Sequence, residues 1–181
     1  MQEKIPDQEL LKAYHQGNHR AYARWFERYE RSAYAFLMAV SDNEHEAEDI
    51  FQAALMKMLR RLDLFVTARN FKSYFFTFLR NEALDYQQNR KHTRYLNKDH
   101  LSSRISLFEW KNKEQPTQLQ SAMSAMDRLP PADRQILVLR IFQGMKFREI
   151  SEVLAVPIQT LQSRYAKALK KIKGIMSRGD M

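Results

Sequence analysis

The stretch from Phe147 to Lys173 leaves the chain few ways to fold. Phe147-Arg148-Glu149-Ile150-Ser151-Glu152-Val153-Leu154 predicts a short helix, Ala155-Val156-Pro157 a sharp turn, and Ile158 to Lys173 a second, longer helix. Together these make a helix-turn-helix. On the second helix Ile158, Leu161, Tyr165, Ala168 and Ile172 recur every three to four residues and define one buried stripe. Gln159, Gln162, Ser163, Ala166, Lys167 and Lys170 take the opposite face. Such side chains suit a helix lying in a DNA major groove: amides pair with base edges, lysines meet phosphates, and small residues permit close approach. A basic surface helix on a bundle that binds nothing has the same pattern, so this stretch constrains fold more than function.

Charge adds a partner class. The 181 residues carry a net charge of +9, which favours a polyanion. It is unevenly placed. From Ala122 to Met181 eleven Lys and Arg stand against five Asp and Glu, net +6, whereas Met1 to Thr93 holds fourteen against thirteen, net +1. The C-terminal part is therefore the clearer electrostatic footprint.

Several chemistries have no residues to support them. The absence of cysteine removes disulfides, thiolate nucleophiles and cysteine-ligated zinc. Four glycines, Gly17, Gly144, Gly174 and Gly179, make no phosphate-cradling loop. His15 and His19 have the spacing of a helical metal pair, but Gly17 and Asn18 break the helix between them, so no metal or cofactor is expected. Met1 to Asp7 lacks the apolar core of a signal peptide, and the apolar run Ala33 to Val40 is too short to span a bilayer. A soluble cytoplasmic protein without membrane insertion is the expectation.

Helical periodicity covers most of the chain. Asp7 is placed to cap a short helix through Gln16 bearing Leu10, Leu11 and Tyr14, and Gly17 to end it; Asn18 is placed to cap the next. Tyr22, Trp25, Phe26, Tyr29, Ala33, Phe36 and Leu37 then form an aromatic stripe, which is read as packing. Ser41 with Glu44 suggests a capping box, followed by a stripe of Ala47, Ile50, Phe51, Ala54, Leu55, Met58 and Leu62. This leaves Glu48, Asp49, Gln52, Met56 and Lys57 on or near an outer face. With no partner histidine or nucleophile near these carboxylates, a binding surface or a solvated face is the reading, and no catalytic residue is assigned.

Leu64 to Asn70 reads as a loop. A helix from Phe71 to about Gln88 follows, with Phe71, Tyr74, Phe75, Phe78, Leu79 and Leu84 available for the core. Lys72, Arg80 and Asn81, then Arg90, Lys91 and Arg94, interleave cations with aromatics, a pattern suited to single-stranded nucleic acid. Gln87 to Gln120 is polar and reads as a linker, with Leu107-Phe108-Glu109-Trp110 as its apolar knot. A helix then leads to Leu129, and Pro130-Pro131 opens another that runs to Gly144. The fold class is all-α: two small helical bundles joined by a polar linker, with boundaries at 6–93, 94–121 and 122–177.

These parts, in this order, resemble an extracytoplasmic-function (ECF) type sigma factor of the sigma-70 family. Leu10-Leu11-Lys12-Ala13-Tyr14, Gly17-Asn18, Ala21-Tyr22, Tyr29 and Tyr34 are similar to its region 2. Glu46-Ala47-Glu48-Asp49-Ile50-Phe51-Gln52 resembles the core-binding motif, and Phe71-Lys72-Ser73-Tyr74-Phe75 through Arg80-Asn81-Glu82-Ala83-Leu84-Asp85 the promoter-melting segment. Leu129-Pro130-Pro131, Arg134, Gly144, Glu149-Ile150, Val156-Pro157 and Thr160-Leu161-Gln162-Ser163-Arg164 with Ala168 resemble region 4. Departures include Ala53 for a frequent Glu, Tyr74 for a frequent Trp, Ser151 for a frequent Ala, Gln159 for a frequent Gly and Gln162 for a frequent basic residue.

The resemblance implies a non-enzymatic factor that brings core RNA polymerase to promoters. It implies core binding through Glu48, Asp49, Gln52, Met56 and Lys57, and capture of single-stranded −10 DNA by Asn70, Lys72, Arg80, Asn81, Arg90 and Lys91. It assigns the −35 duplex to Gln159, Thr160, Gln162, Ser163, Arg164, Ala166, Lys167 and Lys170, and implies an anti-sigma factor as a further partner. Two other classes share the same residues: a stand-alone helix-turn-helix regulator, and a helical interaction or adaptor protein.

Overall fold

The computed structural model describes residues 5–93, 125–126 and 128–179, with side chains described for 5–89, 125–126 and 128–175. Among these residues every regular element is a helix. The N-terminal half contains α1 (Asp7–His15), α2 (His19–Met38), α3 (Glu44–Arg60), α4 (Leu62–Thr67) and α5 (Phe71–Thr93). The C-terminal half contains α6 (Pro131–Leu137), continued by a π-helical turn over Val138–Phe142, then α7 (Phe147–Leu154) and α8 (Ile158–Gly179). The expected linker over 94–121, and its apolar knot at 107–110, lie outside the described residues.

Local chemistry accounts for the helix ends, in two places differently from the sequence expectation. Gly17 (φ +97°) ends α1 in the left-handed region, and the Asn18 side chain accepts from Ala21 N at 3.3 Å, as expected of both. Asp7 does not cap α1. Pro6 holds that position, while the Asp7 carboxylate accepts from the Tyr29 hydroxyl at 2.6 Å and from Arg28 Nη1 at 3.0 Å. Two bonds to an ionised carboxylate, one of them to a guanidinium, outweigh a single local cap. The Ser41–Glu44 capping box is also not formed. Asn43 caps α3 by accepting from Glu46 N at 2.9 Å, and Glu46 Oε2 reaches one residue past the cap to accept from Asp42 N at 2.8 Å.

The N-terminal core is aromatic. Trp25 lies fully buried between Tyr22, Tyr29, Phe71 and Phe75, with ring centroids 5.4–6.0 Å apart. Burial of each such side chain contributes about 1.5–3 kcal/mol. The α3 stripe is buried as expected from Ala47 through Leu62. Leu64 to Asn70 is not all loop, however, because Leu62 to Thr67 forms α4: Leu62 and Phe65, three apart, are both buried, and Phe65 meets the rings of Tyr74 and Phe78. The helix α5 runs to Thr93, five residues past the expected end at Gln88. It buries Phe71, Phe75, Phe76, Leu79 and Ala83, whereas Tyr74 and Leu84, expected inside, are exposed. Neighbours cover only one side of α5, so its buried stripe is narrower than its apolar content.

In the C-terminal half Pro131 takes the first position of α6, as its fixed φ and missing N–H favour. Ile150, Val153 and Leu154 of α7 pack with Leu161, Ala168 and Ile172 of α8. Tyr165 is half-buried against Phe147, and Ile158, in the first turn of α8, is exposed rather than buried. The turn between α7 and α8 places Ala155 in the left-handed region (φ +54°). It is braced by the Ser151 hydroxyl, which donates to Val156 O at 2.7 Å.

The two halves pack on one another. Gln143, at the end of the π-helical turn, is buried and donates its side-chain amide to the Ser32 hydroxyl oxygen on α2. Lys72 Nζ donates to Gln143 O at 2.8 Å, and Asn70 Nδ2 donates to Glu149 Oε1 at 2.7 Å. Gly144 (φ +63°) turns the backbone directly after Gln143, which lets the π-helical turn present that residue to the N-terminal half.

Candidate nucleic-acid interface

Three surfaces carry the residues singled out from sequence. On α8, Gln159, Thr160, Gln162, Ser163, Ala166, Lys167 and Lys170 are all exposed. They form one polar, basic face opposite the buried Leu161, Ala168 and Ile172. Its breadth follows from helical spacing, and its donors and acceptors are those that read base edges and phosphates. Arg164 stands apart from this set. Its Nε donates to Asp133 Oδ1 of α6 at 2.8 Å, tying α8 to its own bundle.

The second surface lies on α3. Glu48, Asp49 and Gln52 are half-buried, Met56 is 55% exposed, and Lys57 projects at the end of the row. Two of these side chains are anchored to α5, a feature the sequence did not reveal. Lys57 Nζ pairs with Glu82 Oε2 at 2.5 Å, and the Tyr86 hydroxyl donates to Asp49 Oδ2 at 3.4 Å. Bonds across 25 and 37 positions leave no local signature. Two carboxylates, an amide, one lysine and an exposed methionine make a mixed polar and apolar strip of the kind that docks a partner helix.

The third surface, on α5, is divided. Asn81 is exposed and Arg80 half-exposed, whereas the side chains of Arg90 and Lys91 lie outside the described residues. Asn70 caps α5 by accepting from Ser73 N at 3.2 Å, and its amide nitrogen is bonded to Glu149; Lys72 is held by the Gln143 carbonyl. The set expected to meet single-stranded DNA is thus split between an open flank and an end packed against the other bundle.

At that packed end a cleft of about 420 Å³ separates the halves, with Arg69, Lys72 and Lys146 facing Asp7 and Glu149. Burial raises the Glu149 carboxyl, but the Lys146 N–H, the Asn70 amide and the charges of Lys146 and Lys72 together hold it below the ordinary value of 4.5. Burial and the Asp7 carboxylate push the Tyr29 hydroxyl well above the usual phenol range, so it remains a donor to Asp7.

The comparisons with known proteins assign these surfaces to regions. Residues 25–93 match the family model for sigma-70 region 2, and residues 119–172 that for sigma-70 region 4. The chain belongs to the ECF branch of the sigma-70 family. This sigma factor is 25% identical over 153 residues to the RNA polymerase sigma factor SigV of Bacillus subtilis, covering 84% of this chain and 89% of the relative. It is 25% identical over 148 residues to the ECF RNA polymerase sigma factor EcfG of Rhodopseudomonas palustris, covering 78% and 77%. Its fold is shared with the sigma factor RpoE of Bartonella quintana, solved in complex with the anti-sigma factor NepR. The TM-score is 0.59 at 23% identity, covering 86% of this chain and 96% of the other. As a sigma factor it acts in transcription initiation. Among the described residues, no helix is long and apolar enough to cross a membrane.

Proposed function

We propose that this sigma factor, a regulator rather than a catalyst, works in the cytoplasm and divides its task between residues 6–93 and residues 122–177, with 94–121 joining them. The first part binds core RNA polymerase through Glu48, Asp49, Gln52, Met56 and Lys57, and holds the opened −10 strand with Asn70, Lys72, Arg80, Asn81, Arg90 and Lys91. The second reads the −35 duplex with Gln159, Thr160, Gln162, Ser163, Ala166, Lys167 and Lys170. Arg164 belongs to this set as the residue that fixes the angle of α8 through Asp133. The observation that carries the reading is the pair of matched regions, in family order, with a fully exposed polar face on the recognition helix.

The division agrees with the charge: the basic C-terminal part suits duplex phosphates, and the near-neutral N-terminal part suits a protein partner. The fold shared with a sigma factor solved with its anti-sigma factor supports a partner of that kind for this chain as well. Multi-round transcription with core polymerase and a genomic fragment pool tests the whole. Initiation at a defined set of start points is expected. Operator binding without polymerase would instead favour a stand-alone regulator, and the absence of any DNA affinity would favour an adaptor.

A further inference from the structure

Met56 differs in chemistry from the rest of the α3 strip, whose other members, Glu48, Asp49, Gln52 and Lys57, are polar. Among the described residues it is the only exposed methionine: Met58, Met126 and Met145 are buried and Met38 is half-buried. The reason is local. A helical side chain leans back over the residues three and four positions before it, which here are Ala53 and Gln52. Ala53, itself exposed, has only a methyl group to offer where the family frequently has Glu, so the thioether is left open on that side. Met58, two positions on, turns to the other side of α3 and is fully enclosed.

The chain has no cysteine. A thiolate, where one is present, is the group a peroxide oxidises first; without one, an exposed thioether is the softest nucleophile on the surface. We infer that Met56 is a modification site, at which oxidation by hydrogen peroxide weakens the docking of core RNA polymerase on α3. The sulfur attacks one peroxide oxygen, the O–O bond breaks, and a proton transfer leaves methionine sulfoxide and one water. The thioether gives up two electrons and the peroxide takes them. The inference rests on the reading of α3 as the polymerase-binding strip.

The position makes the change count. Lys57 is paired with Glu82 and Asp49 accepts from Tyr86, so the polar groups of the strip are set in place by α5, and Met56 supplies its apolar contact. Oxidation turns that flexible apolar side chain into a polar, chiral one. A sulfoxide oxygen carried into an apolar contact costs free energy unless it meets a donor. The change is reversible: reductases for the two sulfoxide epimers return the thioether, a dithiol supplying two electrons and the oxygen leaving as water.

The full chain is treated with hydrogen peroxide and the excess destroyed with catalase before core polymerase is added. Peptide mass maps give the sulfoxide fraction at each of the nine methionines, and a competition assay gives core affinity. Met56 is expected to oxidise faster than Met58, Met126 and Met145, and core affinity to fall about tenfold, the scale on which one well-packed interface side chain counts. Both sulfoxide reductases with dithiothreitol should restore it. Met56→Leu is compared with its own untreated affinity, which peroxide should leave unchanged. Reactivity at Met56 no greater than at the buried methionines, or parent affinity in the oxidised chain, would overturn the inference. So would an equal loss in peroxide-treated Met56→Leu, which would place the effect at another side chain. The unoxidised double variant Asp49→Ala with Gln52→Ala separates this from the reading beneath it. Weakened core binding there, beside a negative oxidation result, sinks only the modification; parent affinity there removes the strip itself.

Discussion

Arg164 of the recognition helix donates to Asp133 of α6 at 2.8 Å, so the most basic side chain in the Thr160–Arg164 motif is spent on its own bundle. Its side chain is 36% exposed and that of Asp133 18%, so solvent screens the pair and its contribution is about 0.5–1 kcal/mol. Arg164→Ala is expected to lower the thermal midpoint of the chain and to weaken all −35 sequences by a similar factor. A change of preference at one base position, seen in a panel of single-base variants, would return Arg164 to direct readout.

Gln162 and Lys167 are both exposed on the open face of α8 and should give opposite signatures. Gln162→Ala is expected to cost roughly 1–3 kcal/mol at a single base position of the −35 element. Lys167→Ala should weaken all sequences alike and reduce the salt slope by about one. Affinities for a −35 panel at two salt concentrations distinguish the two, and indifference to both substitutions would reduce the face to solvated surface.

The α3 strip makes a prediction about polymerase. Asp49→Ala with Gln52→Ala is expected to weaken core binding by about 1–2 kcal/mol, roughly 5- to 30-fold, since two interface hydrogen bonds are lost. Tyr86→Phe removes only the donor that orients Asp49 and should have a smaller effect in the same direction. Equal core affinity in a competition assay for the double variant and the parent would remove this strip from the interface.

Strand opening can be separated from strand binding at Asn81, which is exposed on α5. Extruding a base costs a few kcal/mol, and a duplex template must meet that cost whereas a pre-melted bubble need not. Asn81→Ala should therefore impair initiation on the duplex more than on the bubble. Equal impairment on both would place the residue in another step.

Glu149 gives the chain an acid dependence with a definite sign. Its folded carboxyl titrates below the ordinary 4.5, so its contribution is fully present above that value and is lost as the pH falls through the lowered folded value. Glu149→Gln is expected to have a lower melting temperature than the parent at pH 7, and the gap should shrink in the acid range below 4.5. A gap that stays constant from pH 7 into that range would mean that charge on Glu149 does not matter.

Much of this architecture was legible because it is local. The α3 stripe, the buried Leu161, Ala168 and Ile172 of α8, the Asn18 cap, the Gly17 stop and the exposed face of α8 all follow from spacing within one or two turns. What escaped was either too short or too distant. The helix α4 has only Leu62 and Phe65 as buried anchors, which is little periodicity to find. Tyr74 and Leu84 have the right chemistry for a core, but the neighbours that decide which side of α5 is covered are elements far along the chain. The Asp133–Arg164, Lys57–Glu82 and Ser32–Gln143 pairs exist only once the fold brings them together, and Asp7 shows the converse: a good local cap drawn off by Arg28 and Tyr29.

The environment of Trp25 has a spectroscopic consequence. The chain has two tryptophans, Trp25 and Trp110, so a Trp110→Phe variant leaves a single indole. That indole is fully shielded from water, and its Nε1 has no hydrogen-bond partner among the described residues. Its emission should be shifted to the blue, be excited by energy transfer from Tyr22 and Tyr29 beside it, and resist aqueous quenchers such as iodide. Because Phe71 and Phe75 of α5 complete its cage, the same emission follows the seating of α5 on α2 and provides an optical record of that contact in a protein that carries no added label.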